Sequence, residues 1–144
     1  LFFAGTVFVV FASGMLAPQL AIKLGHARAT VLGLAIAATG GAVLLLAHWA
    51  DHTVWSYLIP IIIFLSGFGM ASPLATATCL QPFGDRAGLA SALLGFLQMA
   101  GAALGVILTA SIASATLAIG IVQAALTISG LILYVAGSRA SPPR

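Results

Sequence analysis

The chain has 144 residues, 62% of them apolar and only 5% charged, with a formal net charge of +3 from five Lys and Arg and two Asp and Glu. Ordinary globular domains carry about 25% charged residues, so these few charges cannot cover the surface of a water-soluble fold. The basic residues are scattered along the chain, which excludes a nucleic-acid footprint, and a single cysteine, Cys79, excludes an intrachain disulfide.

Five apolar runs occupy 3–22, 29–48, 56–79, 88–112 and 116–136. Each holds about 20 residues, enough to cross a hydrocarbon core about 30 Å thick. The predicted fold class is an all-α integral membrane protein with five transmembrane helices in one domain over 1–144, ending in a tail at 137–144. Proline at Pro18 falls one turn before the end of the first run, where it removes a backbone donor and should kink the helix. Gly25 then supplies a tight turn between Lys23 and Arg28, and so short a connection makes the first two helices antiparallel neighbours.

In the second run Gly33, Ala37 and Gly41 recur at intervals of four, a small-residue stripe that lets another backbone come close. The run ends in His48-Trp49-Ala50-Asp51-His52, with Trp55 and Tyr57 beyond it, and these aromatics fit an interfacial belt. On a continued helix His48, Asp51 and His52 would share a face. Without a cysteine or further carboxylate they fall short of a metal pattern, so no metal or cofactor is expected. The third run carries Pro60 near its start and Pro73 well inside, amid Gly67 and Gly69. Such an interrupted helix is either statically kinked or lines a substrate path.

The fourth run is the most amphipathic. Ser91, Gly95, Gln98, Ala102, Gly105 and Thr109 fall within an arc of roughly 80°, with Leu93, Phe96, Leu97, Leu104 and Ile107 opposite. The fifth repeats the design with Thr116, Gly120, Gln123, Thr127, Gly130 and Tyr134. Gly95, Gly101 and Gly105 are helix-packing candidates alongside Gly33 and Gly41. Gln98 and Gln123 lie at mid-membrane depth and need hydrogen-bond partners, either on neighbouring helices or in a watery substrate cavity.

Lys23 and Arg28 lie in the first connection, Arg86 in the third, and Arg139 and Arg144 in the tail, whereas the second and fourth connections carry no Lys or Arg. The positive-inside rule therefore puts these three segments in the cytoplasm and the N-terminus outside. No Asp, Glu, Lys or Arg lies in the middle of any run, and no nucleophile stands beside a base. Enzymatic chemistry has no support. The chain opens on Leu1-Phe2-Phe3, already inside an apolar run and without a charged signal-peptide start. The expectation is a piece of a longer polytopic protein.

The stretch Pro73-Leu74-Ala75-Thr76-Ala77-Thr78, then Pro82, then Arg86-Ala87-Gly88-Leu89-Ala90-Ser91-Ala92-Leu93-Leu94-Gly95-Phe96-Leu97-Gln98 with Gly101-Ala102 resembles the penultimate-helix region of Bcr/CflA-type drug-resistance transporters of the major facilitator superfamily. Lys23, Gly25 and His26 resemble a degraded copy of the superfamily's cytoplasmic loop motif, with Pro18 and Ile22 where its first glycine and aspartate would stand. Leu89 departs from the family's common threonine. The resemblance implies the eighth to twelfth helices of a twelve-helix fold, a partial C-terminal half whose N-terminal half is missing. It also implies multi-pass insertion in a bacterial inner membrane and proton-driven export of small amphipathic molecules such as chloramphenicol or bicyclomycin. Small-molecule substrate, protons, the lipid bilayer and the missing half are then the partners. Pro73, Gln98 and Gln123 would line one wall of the cavity, Asp85 would cap the fourth helix, and Arg86 would be a topology charge. Two other readings stay open: a small membrane interaction protein pairing through its glycine stripes, and an inactive transporter remnant.

Overall fold

The computed structural model describes residues 2–47, 53–112 and 115–140. The His48, Asp51 and His52 group and the tail end at 141–144, with Arg144, lie outside them. The described residues form five α-helices: α1 (Phe2–Leu24), α2 (His26–Ala47), α3 (Val54–Leu80), α4 (Ala87–Ala110) and α5 (Ala115–Ala140). A 3-10 segment, Gln81–Arg86, links α3 to α4.

That segment keeps the chain wound except for a kink at Gly84, φ 34° and ψ −109°, and counted through the kink Val54–Ala110 is one stretch of 57 residues. The helical stretches long and apolar enough to cross a membrane are therefore four among the described residues, against the five expected. The others are Gly5–Leu24, His26–Ala47 and Leu117–Gly137. The fourth-run cap also differs from expectation. Arg86, not Asp85, occupies the N-cap position of α4, and no side chain caps it. The 3-10 segment leads directly into α4, and its own carbonyl at Gly84 accepts from the Ala87 amide, one of the donors that a capping side chain would otherwise take.

α2 is the spine of the bundle, packed most extensively against α3 and next against α5. Its buried residues are almost all small: Ala29, Thr30, Gly33, Ala37, Gly40, Gly41 and Ala47, with Leu44 the one large side chain. Gly33, Ala37 and Gly40 form the ridge facing α3. A Cβ placed on Gly33 would stand 2.9 Å from the Ala71 amide nitrogen and 2.9 Å from the Gly67 carbonyl oxygen. One placed on Gly40 would stand 2.5 Å from the Phe64 nitrogen, and one on Gly67 would collide with the backbone at Gly33 and Ala37. Residue numbers rise along α2 as they fall along α3, so the two helices run antiparallel. Gly41 turns to the other neighbour: its Cβ would lie 3.1 Å from the Ala124 Cα on α5.

α1 leans more on α3 than on α2. Gly69 of α3 presses on Val10 and Ser13, leaving no space for a side chain. The Ser13 hydroxyl, buried there, donates back to the Val9 carbonyl at 2.8 Å. α1 and α3 stay helical through Pro18, Pro60 and Pro73. Pro73 has no amide hydrogen to offer the Gly69 carbonyl, and that oxygen instead lies over Gly14 of α1, 3.6 Å from where a Cβ would be. Gly25 alone connects α1 and α2 at φ 82°, a left-handed conformation in which other residues are strained. Ala17, Ala21, Ala29 and Leu74 cluster beside that turn, so the Gly25 turn and the 3-10 segment lie at the same end of the bundle.

α4 stands apart. None of its residues is buried, and it touches α3 very little. A Cβ at Gly95, Gly101 or Gly105 would meet nothing within 4 Å, unlike one at Gly33 or Gly41. Large apolar side chains such as Phe8, Phe11, Met15, Leu89, Phe96 and Leu133 are exposed, as suits a surface bathed in lipid.

The packing makes a contrast that thermal unfolding of the intact protein in detergent can read. Gly40→Val drives a side chain into the Phe64 backbone and should cost about 1–3 kcal/mol or more, the usual penalty of overpacking. Gly101→Ala should leave stability within about 0.5 kcal/mol, since it meets no neighbour. Equal effects at the two positions would show that α2 and α3 are not in backbone contact.

Candidate functional site

Because α4 does not close on α3, it leaves clefts along its length, and their walls differ in what they offer. The cleft between α3 and α4 has a volume of about 520 Å³. Leu34, Phe68, Ala71, Ala75 and Leu94 supply apolar wall, and Ser72, Thr76 and Gln98 supply polar groups. A second cleft of about 650 Å³ lies between α4 and α5, where Phe64, Gly105 and Thr109 meet Gln123. A third, about 360 Å³, lies between α1 and α3 and is lined by Phe11, Met15, Phe68 and Pro73.

The sequence candidates are therefore distributed. Pro73 faces the α1 side, Gln98 the α3–α4 cleft and Gln123 the α4–α5 cleft, so no single cavity collects all three. Phe68 and Ser72 line both the first and third clefts and form the ridge between them. Phe68 stacks on Phe64, with ring centroids 5.9 Å apart and planes 13° apart, an arrangement of the offset kind that aromatic pairs favour. These two rings thereby connect all three clefts along one face of α3.

The polar groups fall into two kinds. Many hydroxyls are already satisfied by their own helix. Ser66 donates to the Ile62 carbonyl at 2.7 Å, Thr78 to Leu74 at 2.8 Å, Thr109 to Gly105 at 2.7 Å and Thr127 to Gln123 at 2.7 Å. Back-bonding of this sort lets hydroxyls sit at depth without outside partners. The side chains of Gln98, Gln123, Ser72 and Thr76 have no hydrogen-bond partner among the described residues. A primary amide can make about four hydrogen bonds, and one left bare in hydrocarbon costs several kcal/mol. One amide and two hydroxyls without such partners, Gln98, Ser72 and Thr76, line one apolar cleft, the composition by which small-molecule sites orient an otherwise greasy ligand.

Sequence reasoning found Gln98 but not Ser72, Thr76 or Phe68. Helical spacing was the available signal: Phe68, Ser72 and Thr76 stand at intervals of four on one face of α3. Lys23, Arg28, Asp85 and Arg86 are exposed at the turns, with Gly25 between the first pair. Among the described residues no group of His, Cys, Asp or Glu could hold a metal ion.

Comparison with known proteins bears on what such a bundle belongs to. A stretch of 48 residues, 33% of this chain, is 48% identical to Multidrug resistance protein D of Escherichia coli strain K12 and covers 12% of that protein. No solved structure gives a significant match. The family model described as Major Facilitator Superfamily matches residues 1–106, through the turn-linked α1 and α2, the proline-bearing α3 and most of α4. With most of its length matched in this way, the chain belongs to the Major Facilitator Superfamily.

Proposed function

We propose that this chain is part of a secondary active transporter that exports drugs or other small amphipathic molecules across a bacterial inner membrane. Proton antiport with alternating access between two helical halves is the mechanism this reading adopts. The observation that carries it is the α3–α4 cleft, where Gln98, Ser72 and Thr76 hold unpartnered polar groups against apolar and aromatic walls. A molecule with an apolar body and a few polar atoms would satisfy both surfaces. Membership of the superfamily and the local identity to a multidrug resistance protein support the same direction. None of the described spans holds a charged side chain at mid-depth, so the groups that bind protons would lie elsewhere in the protein.

In this reading the stretch Val54–Ala110 crosses the bilayer twice. Its 57 residues would extend about 85 Å as one rod at about 1.5 Å per residue, far beyond a core of about 30 Å. Gly84 at φ 34° breaks the helix midway, next to Asp85 and Arg86. Lys23, Arg28 and Arg86 then mark the cytoplasmic end and the N-terminus of the chain lies outside. The uncovered face of α4 also fits a membrane interaction module. That alternative predicts a discrete oligomer in mild detergent, dispersed by a bulky residue at Gly101 or Gly105.

Gln98→Leu in the intact protein should lower export of at least one drug several-fold while membrane levels stay unchanged, and Thr76→Val should act on the same drugs. Unaltered export by both variants, measured by drug accumulation in cells, removes the α3–α4 cleft from the transport path. Orientation has its own test. Cys79, exposed at the end of α3, should react with a membrane-impermeant maleimide in inside-out vesicles and stay unlabelled in intact spheroplasts. The opposite pattern would invert the topology.

A further inference from the structure

Behind the α3–α4 cleft, at the elbow between the two helices, lies a smaller slot of about 320 Å³. Leu80 and Phe83 form one wall, and Leu89, Leu93 and Leu97 form the other. Leu89, Leu93 and Leu97 recur at intervals of four on the greasy side of α4 and are exposed, so the slot opens away from the helices that build the bundle core. Arg86 is exposed and is the one charged residue in its lining. Its guanidinium has no ion pair or hydrogen bond among the described residues, Asp85 included. Asp85 is exposed in the same turn and does not line the slot.

We propose that this slot holds one acyl chain of an anionic phospholipid, with Arg86 binding the phosphate. Three observations select that occupant. First, the walls from Leu80 to Leu97 offer no amide or hydroxyl, in contrast to the cleft with Gln98, Ser72 and Thr76; Cys79 is the one heteroatom-bearing side chain besides Arg86. A ligand here is held by an apolar stem alone. Second, the charge belongs to the segment Gln81–Arg86 that joins the ends of α3 and α4, and in a chain that turns there between two spans this is the level at which a phosphate would lie. Arginine suits phosphate through its planar fork of donors. Third, from Leu89 to Leu97 the wall runs roughly 12 Å at about 1.5 Å per residue, a length that accepts part of one acyl chain.

Lipid tails are as apolar as leucine, so the slot gives no preference among lipids by itself. Selectivity comes from Arg86, as in other basic pockets at the ends of membrane helices. The lipid then wedges the elbow between α3 and α4 and sets how far α4 stands from α3. The inference needs only membrane-embedded helices and does not depend on transport, so its failure and the failure of the transport reading are separate results.

The test is native mass spectrometry of the intact protein, offered equal amounts of phosphatidylglycerol and phosphatidylcholine with the same acyl chains. Wild-type protein should retain phosphatidylglycerol with a preference of about fivefold, the size one basic side chain contributes at an anionic surface. Arg86→Gln should reduce the preference to parity and Arg86→Lys should keep most of it. Leu93→Trp, which fills the slot and leaves the charge in place, should also remove the bound lipid, while Arg28→Gln should change nothing. Parity in the wild type overturns the proposal, as does a preference that survives both Arg86→Gln and Leu93→Trp. Competition by free glycerol 3-phosphate as strong as that by the whole lipid would reduce the site to an anion contact and overturn the acyl-chain assignment.

Discussion

Hydrocarbon gives helices no hydrophobic reason to associate, so closeness of backbone approach decides which of them stay together. In this chain that closeness is concentrated where α2 crosses α3. Gly33, Ala37 and Gly40 meet Phe64, Gly67 and Ala71 with no room for a methyl group at any of the three glycines. Gly69 repeats the arrangement against α1, and Gly41 with Ala124 against α5. Four helices are thereby joined through residues whose side chains are nearly absent. Their larger side chains are released to point outward into lipid or into clefts.

The position of α4 follows from the same constraint. Its small residues Gly95, Gly101 and Gly105 face open space, so nothing draws it onto α3. It is tethered by the helical elbow at Gln81–Arg86 and stands off far enough to leave a cleft along α3. Within that cleft the polar groups are the ones their own helices do not satisfy, Gln98, Ser72 and Thr76, whereas Ser66, Thr78 and Thr109 bond back to carbonyls four residues earlier. A tightly joined set of four helices carrying one loosely held helix leaves unpartnered polar groups at the boundary between the two.

Hydropathy and helix length made the all-helical membrane character legible, because a span must hide every backbone polar group over a known thickness. Gly25 was legible as the tight turn between the first two helices, although the sequence left 23–28 for a connection that the structure narrows to Gly25 alone. The roles of the other glycines were harder to assign. Gly33 and Gly41 looked like one stripe for one partner, yet Gly33 serves α3 and Gly41 serves α5, with Gly40 completing the α3 ridge. Gly67 and Gly69 were read with Pro73 as an interruption of the third helix, and they are points of contact with α2 and α1. A small residue marks either a close approach or an open small face, and helical periodicity is the same for both. The resemblance implied Asp85 as the cap of the fourth helix, but Arg86 occupies that position and no side chain caps it. The third connection was expected from the gap between the third and fourth runs, and the structure fills it with a short 3-10 segment kinked at Gly84. Pro73, Gln98 and Gln123 were plausible by depth, and depth alone could not tell which cleft each would face.

Water access along α3 tests the central claim most directly, namely that a polar cleft open to substrate runs between α3 and α4. Thr76→Cys and Phe96→Cys can be made in an intact protein otherwise free of cysteine and exposed to a water-soluble thiol reagent in membranes. Modification at position 76, slowed by a transported drug, with no modification at the lipid-facing position 96, is the result this account predicts. An inert position 76, or one whose reaction no drug slows, would contradict it.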